Sequence, residues 1–212
     1  MIWLSLAFLF STLYGTTQSW RYKGRWLAPL KGLSMGLLAV AAERAGAPTT
    51  TVLAILFCGL ADTGIPLGRN WSSTRFLTVA QALYIPGYAL HMTSLSTLGL
   101  AIGPATLVAA SATLTVFAIC HMTVGTLRPD LRPAWMGYGV TLIALVTAAF
   151  MIPQGGLQAQ AGSLLALSGV TLYGVEMVLV RDGSLLQNLT SPVIWTTYFL
   201  GHVLLSAQMW QL

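Results

Sequence analysis

Residues 49–67 of the chain read TTTVLAILFCGLADTGIPL, a stretch whose one charged side chain is Asp62. A helix needs about 20 mostly apolar residues to cross a bilayer, and this stretch has that length. The whole 212-residue chain is 56% hydrophobic and 7% charged, whereas soluble domains carry roughly 25% charged residues. So few charges cannot cover a surface that faces water. The composition therefore predicts an integral membrane protein and excludes a soluble enzyme, a nucleic-acid-binding domain and a disordered protein.

Breaks at glycine, proline and charged clusters divide the chain into eight apolar stretches. We predict an all-α, polytopic membrane helix bundle that forms one integral membrane domain over residues 1–212. The predicted transmembrane helices cover residues 1–19, 26–43, 49–67, 75–96, 98–123, 133–152, 158–180 and 191–211. We expect the first stretch to be a retained helix and not a signal peptide, because the basic cluster at 21–25 follows it.

The basic residues predict the orientation of these helices. Eight of the ten Lys and Arg residues fall in connections on one side of the predicted bundle, which are 21–25, 69–75, 128–132 and 181. Cytoplasmic loops carry the excess of Lys and Arg, so this side is expected to be cytoplasmic and both termini to be non-cytoplasmic. A bacterial inner membrane is the expected location, and membrane lipid rather than nucleic acid is the expected partner.

Residues near the predicted helix ends have a simpler interpretation. Trp and Tyr gather at the two interfaces of a bilayer, so we expect most of the tryptophans to be interfacial anchors. They include Trp3, Trp20, Trp26, Trp135, Trp195 and Trp210. His91 lies far from the cytoplasmic end of its predicted helix, and we expect it at the opposite interface.

Three ionisable residues fall inside predicted helices, where they are costly and indicate function. They are Lys31, Asp62 and Glu176. Their distances from the flanking basic residues place all three roughly 7–11 Å inside the cytoplasmic end of their helices. Other polar side chains share this depth: Gln81, Tyr84, His121, Tyr138, Tyr198 and His202.

This layer has two interpretations. Lys31 could pair with either carboxyl and fix the order of the helices, as polar residues do in membrane proteins. One cation against two acids leaves the second acid without a matching charge, and a carboxyl in a low dielectric favours its neutral form. The layer would then be a functional pocket, which we favour because carboxyls in such surroundings concentrate at functional sites.

Five segments of the chain resemble the lysoplasmalogenase family (YhhN-like, transmembrane protein 86-like membrane proteins) in order and spacing. They are 25–30 (RWLAPL), 57–62 (FCGLAD), 81–84 (QALY), 169–176 (GVTLYGVE) and 197–202 (TYFLGH). The chain departs from the family pattern at three places. Ala28 replaces the lysine of Lys-Pro-Leu, with Lys31 one helical turn later; Gln81 takes the place of a histidine; and Glu176 replaces an aspartate.

The resemblance implies a hydrolase that cleaves the vinyl ether bond of lysoplasmalogen to a fatty aldehyde and a glycerophospho-alcohol, without a cofactor or metal. Such a bond is cleaved when an acid protonates its β-carbon, and paired carboxyls with distinct roles suit this chemistry. We expect Asp62 to donate the proton and Glu176 to activate water or stabilise the cation; the reverse assignment stays open. Residues expected to bind the lysophospholipid are Lys31, Gln81, Tyr84, Tyr138, Tyr198 and His202.

Other classes of function also fit these residues. Buried carboxyls act as relays in proton-coupled transporters, and a non-catalytic lipid-binding protein needs the same pocket. A zinc-dependent hydrolase could use His91, His121, His202 and Asp62, which is a sufficient ligand count. However, no paired-histidine motif of a zinc enzyme occurs in the chain.

Overall fold

The computed structural model describes residues 1–18, 27–70, 73–127, 129, 132–153, 155–180 and 184–210, and its regular secondary structure is helical throughout these ranges. The α-helices, numbered in chain order, are α1 Ile2–Leu13, α2 Leu27–Arg44, α3 Thr49–Asn70, α4 Thr74–Ala82, α5 Tyr84–Ser96, α6 Pro104–Leu127, α7 Arg132–Phe150, α8 Leu157–Leu179 and α9 Leu185–Ala207. A π-helical segment, Tyr14–Gln18, continues α1. The all-helical prediction is confirmed.

The helix predicted over 75–96 is wrong as a single element, because it is two helices that meet at Leu83. Pro86 explains the break. A proline has no N–H to donate to the carbonyl four residues earlier, and its ring collides with that carbonyl. The carbonyl concerned belongs to Ala82, the last residue of α4.

Two further boundaries differ from the prediction by about two turns. The helix expected from residue 98 begins at Pro104, and Gly99 before it has a φ of 75°, which is outside the helical region. The last helix begins at Leu185 and not at 191, since the Ser184 side chain caps it by accepting from the backbone N–H of Gln187. Its Pro192 is accommodated inside the helix.

Three helices are long and apolar enough to cross a membrane within the described residues: α3 over Thr49–Gly68, α6 over Pro104–Thr123 and α7 over Arg132–Phe150. The predicted count of eight spans and the placement of the termini stay predictions. Five of the eight basic residues used to orient the chain lie outside the described residues. They are Arg21, Lys23, Arg25, Arg128 and Arg181.

Glycines bring two pairs of helices into close contact. A Cβ placed on Gly201 of α9 would lie 2.8 Å from backbone atoms of Gly162 and Ala166 on α8. A Cβ on Gly32 of α2 would lie 2.4 Å from the Thr63 hydroxyl of α3. Small residues let helix backbones approach in this way in membrane proteins. The two contacts matter for function because each joins helices that carry a candidate site residue.

Gly201→Ala is expected to lower the melting temperature of the detergent-solubilised protein. Its methyl group would meet backbone atoms of α8, which cannot move aside as a flexible side chain does, and such overpacking costs about 1–3 kcal/mol. Gly36→Ala is the matched control, because a Cβ at Gly36 meets nothing within 4 Å. Equal melting temperatures for the two variants would contradict the close α8–α9 contact.

Candidate functional site

A cavity of about 100 Å³ lies at the end of the bundle where α2, α7 and α9 begin and where α3 and α8 end. Seven of the eight predicted site residues line it: Lys31, Asp62, Gln81, Tyr84, Tyr138, Glu176 and Tyr198. They come from seven different helices. Both candidate carboxyls therefore face the same space, although they are far apart in the sequence.

Lys31 and Asp62 form an ion pair on the wall of this cavity. The Lys31 Nζ atom lies 3.0 Å from Oδ1 of Asp62. The two side chains meet because α2 and α3 touch at the next residue of each helix, where Gly32 leaves room for Thr63. The Asp62 side chain is only 2% exposed, so the ammonium supplies the positive charge that a carboxylate needs at this depth.

Aromatic rings hold the Lys31 ammonium from its other side. Its Nζ lies 4.8 Å from the centre of the Trp195 ring and 5.5 Å from that of Tyr14, both within cation–π range. Trp195 is fixed in turn, because its Nε1–H donates to the Ser11 hydroxyl and carbonyl of α1. The ammonium therefore interacts with the Asp62 carboxyl and with these two rings. This arrangement favours a role in holding the carboxylate over the binding of a phosphate.

The two oxygens of Asp62 have different surroundings. Oδ1 accepts from the Tyr84 hydroxyl at 2.9 Å in addition to the Lys31 ammonium. Oδ2 is buried and has no hydrogen-bond partner among the described residues. One face of the carboxylate is therefore fixed by the protein, while the other keeps its acceptor capacity for a reacting group.

Glu176 occupies a different environment, between α8 and α9. Its carboxyl is 4% exposed. The Ser191 hydroxyl lies 3.0 Å from Oε1 and 2.9 Å from Oε2, and the Thr190 hydroxyl contacts Oε2. A hydroxyl can donate to a carboxylate or accept from a carboxylic acid. Thr190 and Ser191 can therefore hold Glu176 in either protonation state.

Tyrosine rings form the inner wall of the cavity. The Tyr84 ring lies 5.0 Å from Tyr138 and 6.1 Å from Tyr198, measured between ring centres. Gln81 is 3% exposed, and its Oε1 finds no hydrogen-bond partner within the described part of the chain. An apolar space with a few polar groups at fixed positions is the usual form of a small-molecule site.

The histidines depart most from expectation. His202, expected at the substrate, lies outside the cavity lining and behind Tyr198, whose ring centre is 4.6 Å from its own. The expectation that His91 is interfacial is wrong: it is 1% exposed, and its Nε2 lies 3.2 Å from Nδ1 of His202. His121 is half-buried on α6 against Phe117. No group of three or more His, Cys, Asp or Glu side chains arranged to hold a metal occurs among the residues described.

The expectation that Trp135 and Trp195 are interfacial anchors is also wrong, because both are 2% exposed and line the cavity. A tryptophan near a helix end can either line a cavity or lie at the membrane interface, and the sequence does not distinguish the two. Sequence reasoning also missed three lining residues with a hydroxyl group, which are Tyr14, Tyr173 and Ser191. Ser191 was the first residue of the predicted helix, whereas its neighbour Thr190 lies in the six residues of α9 that the prediction left outside.

Comparisons of the chain with protein-family models, curated proteins and solved structures found no match. The resemblance to lysoplasmalogenases therefore stays a prediction from the five motifs.

Proposed function

We propose that the protein is an intramembrane hydrolase that cleaves the vinyl ether bond of a lysoplasmalogen. One observation carries this proposal: two carboxyls with different surroundings line one small cavity at the end of a helical bundle. Asp62 has a fixed counter-ion, whereas Glu176 is held by hydroxyls that suit both of its protonation states. General acid catalysis beside a charge-stabilising carboxylate needs such a difference.

The Lys31–Asp62 pair favours the reverse of the roles expected from sequence. The Lys31 ammonium, 3.0 Å from Asp62, stabilises a carboxylate there, so we assign the proton donor to Glu176. Asp62 then stabilises the positive charge that develops during the reaction. Lys31 and Tyr84 are positioning residues that act through Oδ1 of Asp62.

The proposed reaction has two bond-making steps. The Glu176 carboxylic acid gives its proton to the β-carbon of the vinyl ether, which forms a C–H bond and leaves an oxocarbenium ion beside Asp62. A water molecule then attacks the cationic carbon, and its proton returns to the Glu176 carboxylate. The resulting hemiacetal loses its hydroxyl proton as its bond to the glycerol oxygen breaks, and that oxygen takes up a proton, which yields the fatty aldehyde and the glycerophospho-alcohol. No proton is consumed overall.

The location of the cavity suits a lipid substrate. It lies toward one end of the helices and not at their middle, as a bond just below a lipid headgroup requires. Among the residues that the structure describes, three helices have the length and apolarity of membrane spans, and the basic connections favour the cytoplasmic side of a bacterial inner membrane for this end. The proposed substrate is a lysophospholipid of that leaflet.

The test is release of aldehyde by the detergent-purified protein from a panel of vinyl ether, alkyl ether and ester lysolipids. We expect aldehyde from the vinyl ether alone, because only its double bond accepts a proton at carbon. In D₂O the aldehyde should gain one deuterium at the carbon next to the carbonyl. Failure to release aldehyde from the vinyl ether would contradict the proposal, and binding without cleavage would favour a lipid-binding role.

The same preparation tests the zinc interpretation. We expect aldehyde release to survive treatment with a chelator such as EDTA followed by gel filtration, because Glu176 and Asp62 suffice for the proposed steps. Loss of activity that added Zn²⁺ restores would favour a metal-dependent mechanism instead.

A further inference from the structure

A second buried polar group lies deeper in the bundle than the cavity, and the proposed hydrolysis makes no use of it. His91 of α5 and His202 of α9 are each at most 1% exposed, and Nε2 of the first lies 3.2 Å from Nδ1 of the second. Histidine is the residue that most readily passes protons in proteins, because each ring nitrogen can give or take one. Two imidazoles in hydrogen-bond contact form the simplest such relay.

Tyrosines connect this histidine pair to the cavity. Tyr198 contacts the His202 ring, with 4.6 Å between the ring centres, and it lies 6.1 Å from Tyr84. The Tyr84 hydroxyl in turn donates a hydrogen bond to Oδ1 of Asp62. Tyr88 stacks on His202 at 5.9 Å with nearly parallel rings. Phenol groups therefore occupy the space between the cavity carboxylate and the histidines.

Two buried atoms at the ends of this series of tyrosines need hydrogen-bond partners. Oδ2 of Asp62 and Nε2 of His202 both have no hydrogen-bond partner in the part of the chain that the structure describes. A buried polar atom left unsatisfied costs about 1–3 kcal/mol, and an ordered water is its usual partner. We infer that water molecules link these two atoms past the tyrosine hydroxyls.

A pair of hydroxyl groups lies between the histidines and the other end of the bundle. Ser94 lies one turn after His91 on α5; its Oγ donates to the Leu90 carbonyl at 3.1 Å and lies 2.6 Å from Oγ1 of Thr50. Thr50 is half-buried at the start of α3. Asp62 lies twelve residues later on the same helix, and at 1.5 Å per residue the series covers about 18 Å of the bundle.

We propose that these groups form a proton path through the protein, from the cavity through His202 and His91 to the Ser94–Thr50 pair. A proton arriving from the cavity binds Nε2 of His202, while the proton on Nδ1 of His202 passes to Nε2 of His91. His91 then releases the proton on its Nδ1 toward the hydroxyl pair. One proton enters and one leaves, so the charge of the pair is restored. The path is a function separate from hydrolysis, which consumes no proton.

The experiment measures proton flux in liposomes of diacyl phospholipid that contain the purified protein and a trapped pH-sensitive dye. A pH step is imposed with the membrane potential clamped by potassium and valinomycin. We expect the internal pH to follow faster than in protein-free liposomes. His202→Phe, which keeps a ring but has no nitrogen, is expected to reduce the flux to the protein-free rate.

Two variants separate the path from general effects on folding. His121→Phe makes the same substitution on α6, away from the series, and is expected to conduct like the wild type. His202→Gln keeps a hydrogen-bonding group at the position but cannot relay a proton, so it is expected to block flux while melting near the wild-type temperature. A wild-type flux no faster than that of protein-free liposomes would overturn the proposal, as would unchanged flux in a folded His202→Gln variant. No lysolipid is present, so the result does not depend on the proposed hydrolysis.

Discussion

Glu176→Gln is expected to reduce aldehyde release from lysoplasmalogen by about 10²- to 10⁴-fold, the usual contribution of a general acid. Glutamine has the same shape as glutamate and can hydrogen-bond to Thr190 and Ser191, but its amide cannot give a proton to carbon. The measurement is the initial rate of aldehyde formation by detergent-purified protein at saturating substrate. Because the proposed mechanism uses this side chain in the chemical step, the loss should appear in kcat.

Two matched variants define what the loss means. Glu176→Asp keeps a carboxylic acid but withdraws it by one methylene group, so its rate should fall between those of the wild type and Glu176→Gln. Glu43→Gln makes the same change at an exposed position near the end of α2, and it should leave the rate unchanged. Full activity of a folded Glu176→Gln variant would remove Glu176 from the proposed mechanism.

The comparison with Asp62→Asn decides which carboxyl is the acid. In the proposed roles, Glu176→Gln removes the proton donor, so it should lower the rate of aldehyde release more than Asp62→Asn does. Asp62→Asn leaves the donor in place and should lower the rate less, through loss of charge stabilisation. The opposite pattern would restore the assignment expected from sequence, with Asp62 as the donor.

The helical class was predictable because composition alone determines it, but the helix boundaries were less so. Charge depletion requires apolar helices wherever the chain crosses lipid, whatever the details of packing. Where a helix breaks depends on local chemistry that hydropathy does not measure. The break at Leu83 follows from one missing N–H at Pro86, and the early start of α9 follows from the Ser184 cap.

Most of the polar cavity residues could be predicted from their depth along the predicted helices. Basic residues mark the helix ends, so the depth of each polar residue can be counted from them. Polar groups at equal depth in neighbouring helices meet if the helices are roughly parallel. This reasoning succeeds for Lys31, Asp62 and Glu176. It fails for His202, because depth does not separate a residue on the cavity wall from one behind it.

Pairing between side chains could not be predicted at all. The sequence left open whether Lys31 meets Asp62, Glu176 or a phosphate. The close contact of α2 with α3 at Gly32 resolves this choice in favour of Asp62. The expectation that Trp195 is an interfacial anchor likewise fails, because its ring lies within cation–π range of the Lys31 ammonium, as does that of Tyr14.

Lys31→Met is expected to destabilise the protein by about 3–5 kcal/mol, the usual cost of removing one partner of a buried ion pair. Methionine fills a similar volume and keeps contact with Tyr14 and Trp195, so the loss isolates the charge. Asp62 would remain buried with only the Tyr84 hydroxyl as partner among the groups that contact Oδ1. The effect is measured by thermal unfolding in detergent. A thiol-reactive dye detects unfolding, because it reaches the buried Cys58 when the core opens.

The double variant Lys31→Met/Asp62→Asn distinguishes charge from packing. With both charges gone, no uncompensated carboxylate remains in the core, so the double variant should melt well above Lys31→Met and close to the wild type. It should nevertheless release aldehyde no faster than Asp62→Asn, because the charge that stabilises the oxocarbenium ion is absent. Arg44→Met, at an exposed position on the last turn of the same helix, should change neither property. A double variant as unstable as Lys31→Met would show that Lys31 contributes through packing, and the ion pair would then lose its place in the proposed site.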